Sequence, residues 1–341
     1  MKMKKKKEKY AVTVVGATGM VGRKVLEILE ERRFPVWDLR LLASEKSAGK
    51  KVVFAGKEVR VAALDDRSLE GADVTFFCAG GAVSRAFAPG AAASGSVVID
   101  KSSEFRMEEG VPLVVPEVNP EDLEALPRGI VASPNCSTIP LVMVLKPLLA
   151  HAAISRVVVS TYQSVSGAGM GGLEEMLAQS RAELAGEPVP PPKTFARKIA
   201  FNLVPQIDAF ADDGYTKEEW KLIRETRKIL HLPDLPVTCT AVRVPVAYAH
   251  SESVTIDFET PVGPPQVREI LAGAPGVVVM DDPSRKLYPV PQDAAGKDEV
   301  FVGRIRPDTS RPGGIQLWLV ADNLRKGAAT NAVQIAESIC Q

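Results

Sequence analysis

The sequence predicts an α/β protein: an N-terminal Rossmann-like, doubly wound parallel sheet, then an α+β domain whose last helix packs back on the first. Three observations predict this. Short, wholly apolar runs alternate with helical stretches over the first third, as parallel strands covered on both faces require. A glycine turn, GATGMVG at 16–22, joins the first run to an amphipathic stretch. Later runs switch to period two, the mark of a sheet with one wet face, more often antiparallel.

The elements follow in order. AVTVV (11–15) is a strand, and RKVLEILEER after the glycine turn is a helix. LRLLA (39–43), DVTFFCA (73–79), SVVID (96–100) and PLVVPEV (112–118) read as further buried strands. RVVVSTYQ (156–163) is a strand, and GAGMGG (167–172) opens a helix over LEEMLAQSRAEL. The proline-rich GEPVPPPK (186–193) is a loop. TKEEWKLIRETRKIL (216–230) is a helix with Trp220, Ile223 and Ile229 on its apolar side. In SVTIDFET (253–260), Val254, Ile256 and Phe258 face one way and Thr255, Asp257 and Glu259 the other. IQLWLVAD (315–322) is a strand and GAATNAVQIAESIC (327–340) the closing helix. The expected division is a flexible basic arm at 1–9, a dinucleotide domain at 10–135, a catalytic and dimerisation domain at 136–320, and a returning helix at 321–341.

The totals narrow the function classes. At 341 residues, about two domains are expected. Lys+Arg and Asp+Glu are both 42, so no global field favours nucleic acid or an anionic membrane. No apolar run is long enough to span a bilayer. MKMKKKKEKY could begin a signal peptide, but the apolar run after it is short and enters the glycine turn, so a solvated arm is the expectation. Cys78, Cys136, Cys239 and Cys340 are widely spaced without a CxxC, which suits free thiols in a reducing cytoplasm rather than a disulfide or zinc framework.

Gly16, Gly19 and Gly22 let the chain turn, approach a pyrophosphate and pack helix on sheet, while the helix N-terminus offers N–H groups to phosphate. The spacing is GxxGxxG, and a tight structural turn is the alternative. The second strand ends in LLASEKSAGK. Ala43, Ser44 and Ser47 stand where NAD sites place a carboxylate, with Lys46 beside them. Hydroxyls and an ammonium favour a 2′-phosphate, hence NADP over NAD, against which Glu45 counts unless it faces solvent.

Cys136 lies in ASPNCSTIPLVMVLKPL (132–148), just ahead of a helix for which Ser137 and Thr138 are good caps and Pro140 suits the first turn. A helix N-terminus stabilises a thiolate there, and its N–H groups, with Asn135 as a further donor, could hold an oxyanion. An inert turn cysteine is the other reading. Among His151, His231 and His250, the last follows a strand between polar neighbours and is the best base, although a core histidine fits too. A thiol, a base and a nicotinamide together suit reduction of an activated acyl group through a thioester.

VVGATGMVG, VPEVN, SPNCST, VSTYQSVSGAGM, FNLVPQID, EEWK, TAVRVPVAYAHSESV, FVGRIR and ADNLRKGAA, in that order, resemble bacterial aspartate-β-semialdehyde dehydrogenases over residues 10–341. The resemblance implies NADPH-dependent reduction of β-aspartyl phosphate to aspartate semialdehyde and phosphate, towards lysine, methionine and threonine, in a cytoplasmic homodimer. It implies Cys136 as nucleophile, His250 as acid/base and Gln163 as a residue positioning substrate and histidine. Arg243 would bind the α-carboxylate, Glu218 the α-ammonium, and Arg106 and Lys221 the phosphate. Thr18, Gly19, Met20 and Val21 match the phosphate turn, Lys46 and Ser47 the 2′-phosphate region, and Ser166, Gly167 and Asn323 the nicotinamide side. The family more often carries arginine at Lys46; lysine keeps the charge and loses the stacking plane. N-acetyl-glutamyl-phosphate reductase does similar chemistry on a substrate with no ammonium for Glu218, and a non-catalytic NADP-binding sensor would have no use for Cys136.

Overall fold

The computed structural model describes residues 7–340, and the chain divides into two compact units. The first comprises residues up to Asn135 together with those from Ala328 onward. Its strands are β1 (Tyr10–Val15), β2 (Val36–Ala43), β3 (Lys51–Phe54), β4 (Lys57–Ala63), β5 (Val74–Phe77), β6 (Val97–Asp100) and β7 (Ile130–Ala132). They form one sheet in the order β3-β4-β2-β1-β5-β6-β7, parallel except for the β3–β4 hairpin. Helix α1 (Met20–Glu31) buries Val25, Leu26, Ile28 and Leu29 at helical spacing. These share a core with Val12 and Val14 of β1 and with Ala332, Val333 and Ala336 of the closing helix, Thr330–Cys340. The return of that helix is pinned by Tyr10, whose hydroxyl donates to the Cys340 carbonyl at 2.9 Å, and by the Arg32–Glu337 pair at 2.6 Å. Helix α2 (Gly81–Ala93) covers β5 and β6.

The second unit runs from Cys136 to Gly327. Its helices are α3 (Thr138–Leu149), α4 (Met170–Ala185), α5 (Lys217–Ile229), α6 (Pro264–Ala272) and α7 (Pro291–Ala294). Its strands are β8 (Ile154–Gln163), β9 (Val237–Arg243), β10 (His250–Phe258), β11 (Val277–Val279), β12 (Val300–Pro307) and β13 (Ile315–Ala321). The sheet order is β11-β12-β13-β10-β8-β9, mixed, with antiparallel pairs at its centre. Period two puts Val157, Val159, Val254, Ile256, Leu317 and Leu319 on one buried face. The same parity carries Gln163, Arg243 and His250 to that face, at one end of neighbouring strands. Helix α5 packs on β9, and α3 packs on α5 and β13.

Several expectations give way. PLVVPEV is not a strand; Leu113 alone bridges Ala132. Two prolines interrupt it, and buried Asn119 replaces the ladder, accepting from the Val115 N–H at 3.0 Å and donating to the Leu113 carbonyl at 2.9 Å. Trp220 is only half-buried, its indole donating to Asp213 at 2.9 Å, and the buried side of α5 carries Leu222, Ile223 and Ile229 beside three glutamates. Asp257 is not on a wet face: it is buried beside Arg156 and Arg311. Of the basic arm, residues 1–6 lie outside the described residues, and Lys7 is tied to Asp73 at 2.6 Å.

Candidate active site

In the first unit, the turn after β1 is shaped for close approach. The Gly16 N–H donates to the Leu42 carbonyl at 2.8 Å, and φ is +83°. A Cβ on Gly22 would lie 2.2 Å from the Gly16 oxygen, so turn and helix can meet only without a side chain there. Gly19 caps α1 with no side-chain bond, and Met20 and Val21 begin the helix, leaving its first N–H groups for a phosphate. Thr18 Oγ1 stands 3.4 Å from Ser47 Oγ, and Ser44 and Lys46 are exposed on the short turn after β2, as is Glu45. These groups fit a dinucleotide with a 2′-phosphate. Arg106 is buried, with Nε donating to the Ser133 carbonyl at 3.1 Å and Nη2 to the Lys101 carbonyl at 3.0 Å. Asn135, also buried, ends this unit.

In the second unit, Cys136 is half-buried two residues before α3. Ser137 occupies the cap position, but its side chain makes no capping bond, contrary to the expectation. The helix is almost wholly buried, so its first N–H groups lie in a low-dielectric setting where an anion is favoured. Gly327 packs on this cysteine: a Cβ there would lie 3.1 Å from Cys136 Cβ. The other thiols are poor nucleophiles. Burial pushes Cys78 up to about 12 and Cys340 to about 11, and burial with Glu252 and Glu219 raises Cys239 further.

Arg243 is buried at the end of β9, its Nη1 donating to the Ser164 carbonyl at 2.8 Å. Burial works against its charge, and the negative charges of Glu218 and Cys136 work for it. Gln163 Nε2 donates to Glu218 Oε1 at 3.3 Å, and Lys221 Nζ reaches Glu218 Oε2 at 3.1 Å and Asp208 Oδ2 at 2.8 Å. Burial opposes the Lys221 charge, but Glu218 and Asp208 outweigh it and the net direction is upward. α5 can place Glu218 and Lys221 here because they are three apart on one side of the helix, which a complete Thr216–Glu219 capping box starts.

His250 is 1% exposed. Its Nδ1 accepts from the Ser164 N–H at 3.0 Å, and Nε2 has no protein partner among the described residues. Burial above all, then the Arg243 charge, holds the ring well below the usual imidazole range, against the Ala249 backbone. Asn323 Oδ1 accepts from Ser164 Oγ at 3.1 Å, Ser166 Oγ at 3.2 Å and the Ala249 N–H at 3.1 Å, which saturates that oxygen and braces the loop. Gly167 is exposed yet lies against Arg243 and His250. Thus Cys136, Gln163, Ser166, Gly167, Glu218, Lys221, Arg243, His250 and Asn323 belong to the second unit, and Arg106, Asn135 and the glycine turn to the first. His151 and His231 are exposed, His151 against the Pro147 carbonyl. Sequence reasoning missed Ser164, because its main-chain N–H and C=O do the holding and a side-chain pattern carries no trace of that.

Two family models match, "Semialdehyde dehydrogenase, NAD binding domain" over residues 11–126 and "Semialdehyde dehydrogenase, dimerisation domain" over 145–326. Aspartate-semialdehyde dehydrogenase of Aquifex aeolicus is 54% identical over 96% of this chain and 97% of its own, and that of Bacillus subtilis 51% over 96% of each. Among solved structures, aspartate semialdehyde dehydrogenase II of Vibrio cholerae complexed with ASA superposes with a TM-score of 0.93 at 48% identity, covering 98% of both chains. The Candida albicans enzyme with NADP gives 0.75 at 25% identity, covering 97% of this chain and 98% of its own. Matches that run the length of both chains, over a fold that carries a thiol, a buried imidazole and a buried guanidinium in one unit, lead to one assignment: the chain belongs to the aspartate-semialdehyde dehydrogenase family.

Proposed function

We propose that the protein reduces β-aspartyl phosphate to aspartate semialdehyde and phosphate through an acyl-thioester on Cys136, using NADPH and working as a homodimer. The observation that carries this reading is the buried cluster of Gln163, Glu218, Arg243 and His250, with half-buried Lys221 at its edge, on one sheet face and the helix that covers it. It offers a planar cation for a carboxylate, an anion for an ammonium and a cation for phosphate, which are the charges of an aspartyl phosphate. Arg106, in the first unit and fixed by two carbonyls, is the second phosphate cation that the family resemblance implies.

Arg243 and Glu218 orient the substrate's amino-acid end, and Lys221 and Arg106 hold the phosphate. The Cys136 sulfur attacks the β-carbonyl carbon, the buried N-terminus of α3 and Asn135 support the charge on oxygen, and phosphate departs. When bound, the dinucleotide supplies the hydride that reduces the thioester. His250 meets the charge that develops at the reacting group, and Gln163 holds Glu218 and the substrate in register. Gly16, Gly22 and the first turn of α1 take the pyrophosphate, with Lys46, Ser47 and Ser44 at the 2′-phosphate. Ser166, Gly167 and Asn323 form the loop expected on the nicotinamide side.

No helix of the described residues is long and apolar enough to cross a membrane. A reducing, cytoplasmic setting suits the four free thiols. The homodimer rests on the match to a dimerisation domain and on Tyr248, Leu287, Tyr288 and Val290, which are exposed in the second unit. The deciding experiment is a steady-state assay with aspartate semialdehyde, phosphate and either NADP or NAD, beside turnover of β-aspartyl phosphate and N-acetyl-glutamyl phosphate. Faster turnover of the acetylated substrate rejects the reading. Cys136→Ala lowers turnover by on the order of 10⁴-fold or more and leaves NADPH binding measurable.

A further inference from the structure

We propose that Phe195 is a positioning residue for Arg243, and that the proline-rich segment 186–200 is the strap that carries its ring there. The substrate role of Arg243 rests on the reaction proposed above; the contact between ring and guanidinium does not.

Helix α4 is the template for the strap. Gly186, at φ +69°, ends the helix in a left-handed cap, and the Glu187 N–H donates back to the Ala182 carbonyl at 2.9 Å. Pro188, Pro190, Pro191 and Pro192 follow, and their fixed φ keeps the chain stiff and extended. The chain runs back along α4 and then returns, with Phe195 near the far end. Buried Gln179 staples both limbs: Nε2 donates to the Pro190 carbonyl at 3.3 Å, and Oε1 accepts from the Ile199 N–H at 3.0 Å and the Ala200 N–H at 3.3 Å. One turn earlier on the same side of the helix, Glu175 Oε2 accepts from the Lys193 N–H at 3.0 Å and the Thr194 N–H at 2.6 Å. The tip fits because α4 starts without side chains. A Cβ on Gly171 would lie 3.4 Å from Thr194 Oγ1, and one on Gly172 only 2.9 Å from Phe195 Cζ.

The strap meets Arg243 twice. Arg243 Cζ lies over the Phe195 ring, 5.8 Å from its centre, within cation–π range. Just beyond the strap, Val204 pairs with the main chain of the same arginine, its N–H donating to the Arg243 carbonyl at 3.0 Å and its carbonyl accepting from the Arg243 N–H at 2.9 Å.

Burial opposes the charge of this guanidinium, and its one hydrogen bond among the described residues is Nη1 to the Ser164 carbonyl. A single bond leaves the plane free to swing. An aromatic face restrains the plane and favours the charge, yet occupies none of the N–H donors. A carboxylate or carbonyl in its place would take the donors that a substrate carboxylate needs. A ring at 195 therefore suits an arginine whose open edge is kept for a planar anion.

The test uses full-length protein. Phe195→Leu keeps an apolar side chain and removes the ring face. It should raise KM for aspartate semialdehyde about 10-fold, with kcat and the KM values for NADP and phosphate within about 2-fold. Glu175→Ala frees the Lys193 and Thr194 N–H groups without touching ring or substrate. It should raise the same KM about 3-fold and add nothing in the Phe195→Leu background, because the clamp acts through the ring. A semialdehyde KM unchanged in Phe195→Leu, or one that rises together with those for NADP and phosphate, overturns the positioning role. The contact is read without turnover in ¹⁵N-arginine-labelled protein. The Arg243 side-chain resonances, identified by their loss in Arg243→Lys, should move in both variants, and resonances that stay in place in Phe195→Leu overturn the contact. Absent semialdehyde turnover in unaltered protein, with those resonances moving as expected, would count against the substrate reading alone.

Discussion

Gly167 lies against Arg243: a methyl group at 167 would stand 2.7 Å from Arg243 Nη1, closer than side-chain atoms approach. It would also meet the His250 ring at 3.2 Å. Gly167 itself is exposed, in a short turn with no positive φ, so alanine adds no backbone strain. Gly167→Ala is therefore expected to fold with near-normal thermal stability. On the proposed role of Arg243, displacing the guanidinium should lower kcat/KM for the semialdehyde by about 10²-fold. Melting curves beside steady-state kinetics check this, and a variant with normal kcat/KM would show that Arg243 does not bind substrate there.

Glu218 is shared between Gln163 at 3.3 Å and Lys221 at 3.1 Å, with little solvent to compete. A substrate ammonium would complete this set. Glu218→Gln keeps the shape and removes the charge, so KM for aspartate semialdehyde should rise about 10–100-fold, as for loss of a charged hydrogen bond, with kcat within a few-fold. Lys221→Ala should instead raise KM for phosphate. An unchanged semialdehyde KM in the Glu218 variant would remove the ammonium assignment.

What could be read from the chain and what could not divide along physical lines. Strand parity is local, so the alternation around Val254 and Ile256 was legible before any contact was known. The glycine turn was legible because its spacing reflects close packing of turn and helix. PLVVPEV misled because composition shows apolar character but not which backbone groups a distant Asn119 will satisfy. Asp257 misled because burial of a polar group depends on partners from other elements, here Arg156 and Arg311, and Trp220 because its indole N–H finds Asp213 at the surface. In the site, Gln163, Glu218, Lys221, Arg243 and His250, named by motif, fall in the second unit, and Arg106, Asn135 and the glycine turn in the first, while Ser164 escaped because main-chain donors leave no residue signature.

Lys46 is exposed beside Ser47, whose hydroxyl lies 3.4 Å from Thr18. An exposed ammonium contributes to binding mainly through charge on the 2′-phosphate, which NAD lacks. Lys46→Ala should raise KM for NADP about 10-fold and leave NAD unchanged, and the NADP effect should shrink as salt rises. Lys46→Arg adds a stacking plane and should tighten NADP. Equal effects on the two cofactors would place the 2′-phosphate elsewhere.

Glu252 lies one row beneath His250 on the same sheet face, opposite Thr161, fully buried and with no protein partner for either carboxylate oxygen among the described residues. Burial holds its pKa well above the usual carboxylate range. The native protein therefore keeps it protonated where the unfolded chain, with an ordinary pKa of about 4.3, has released the proton. Above that value the unfolded state binds fewer protons, so this group's contribution to stability falls as pH rises towards the native pKa, by at most about 1.4 kcal/mol per pH unit. Glu252→Gln abolishes the titration while keeping volume and polarity. Its melting temperature relative to the unaltered protein should climb as pH rises from 5 and level off once the native group ionises. The His250 term slopes the other way below about pH 6.5, because a ring held neutral in the native state binds its proton on unfolding, but both proteins share it and it cancels in the difference. Thermal scans that stay parallel across the range would mean that Glu252 is ionised in the native protein and that a cation or ordered water compensates it.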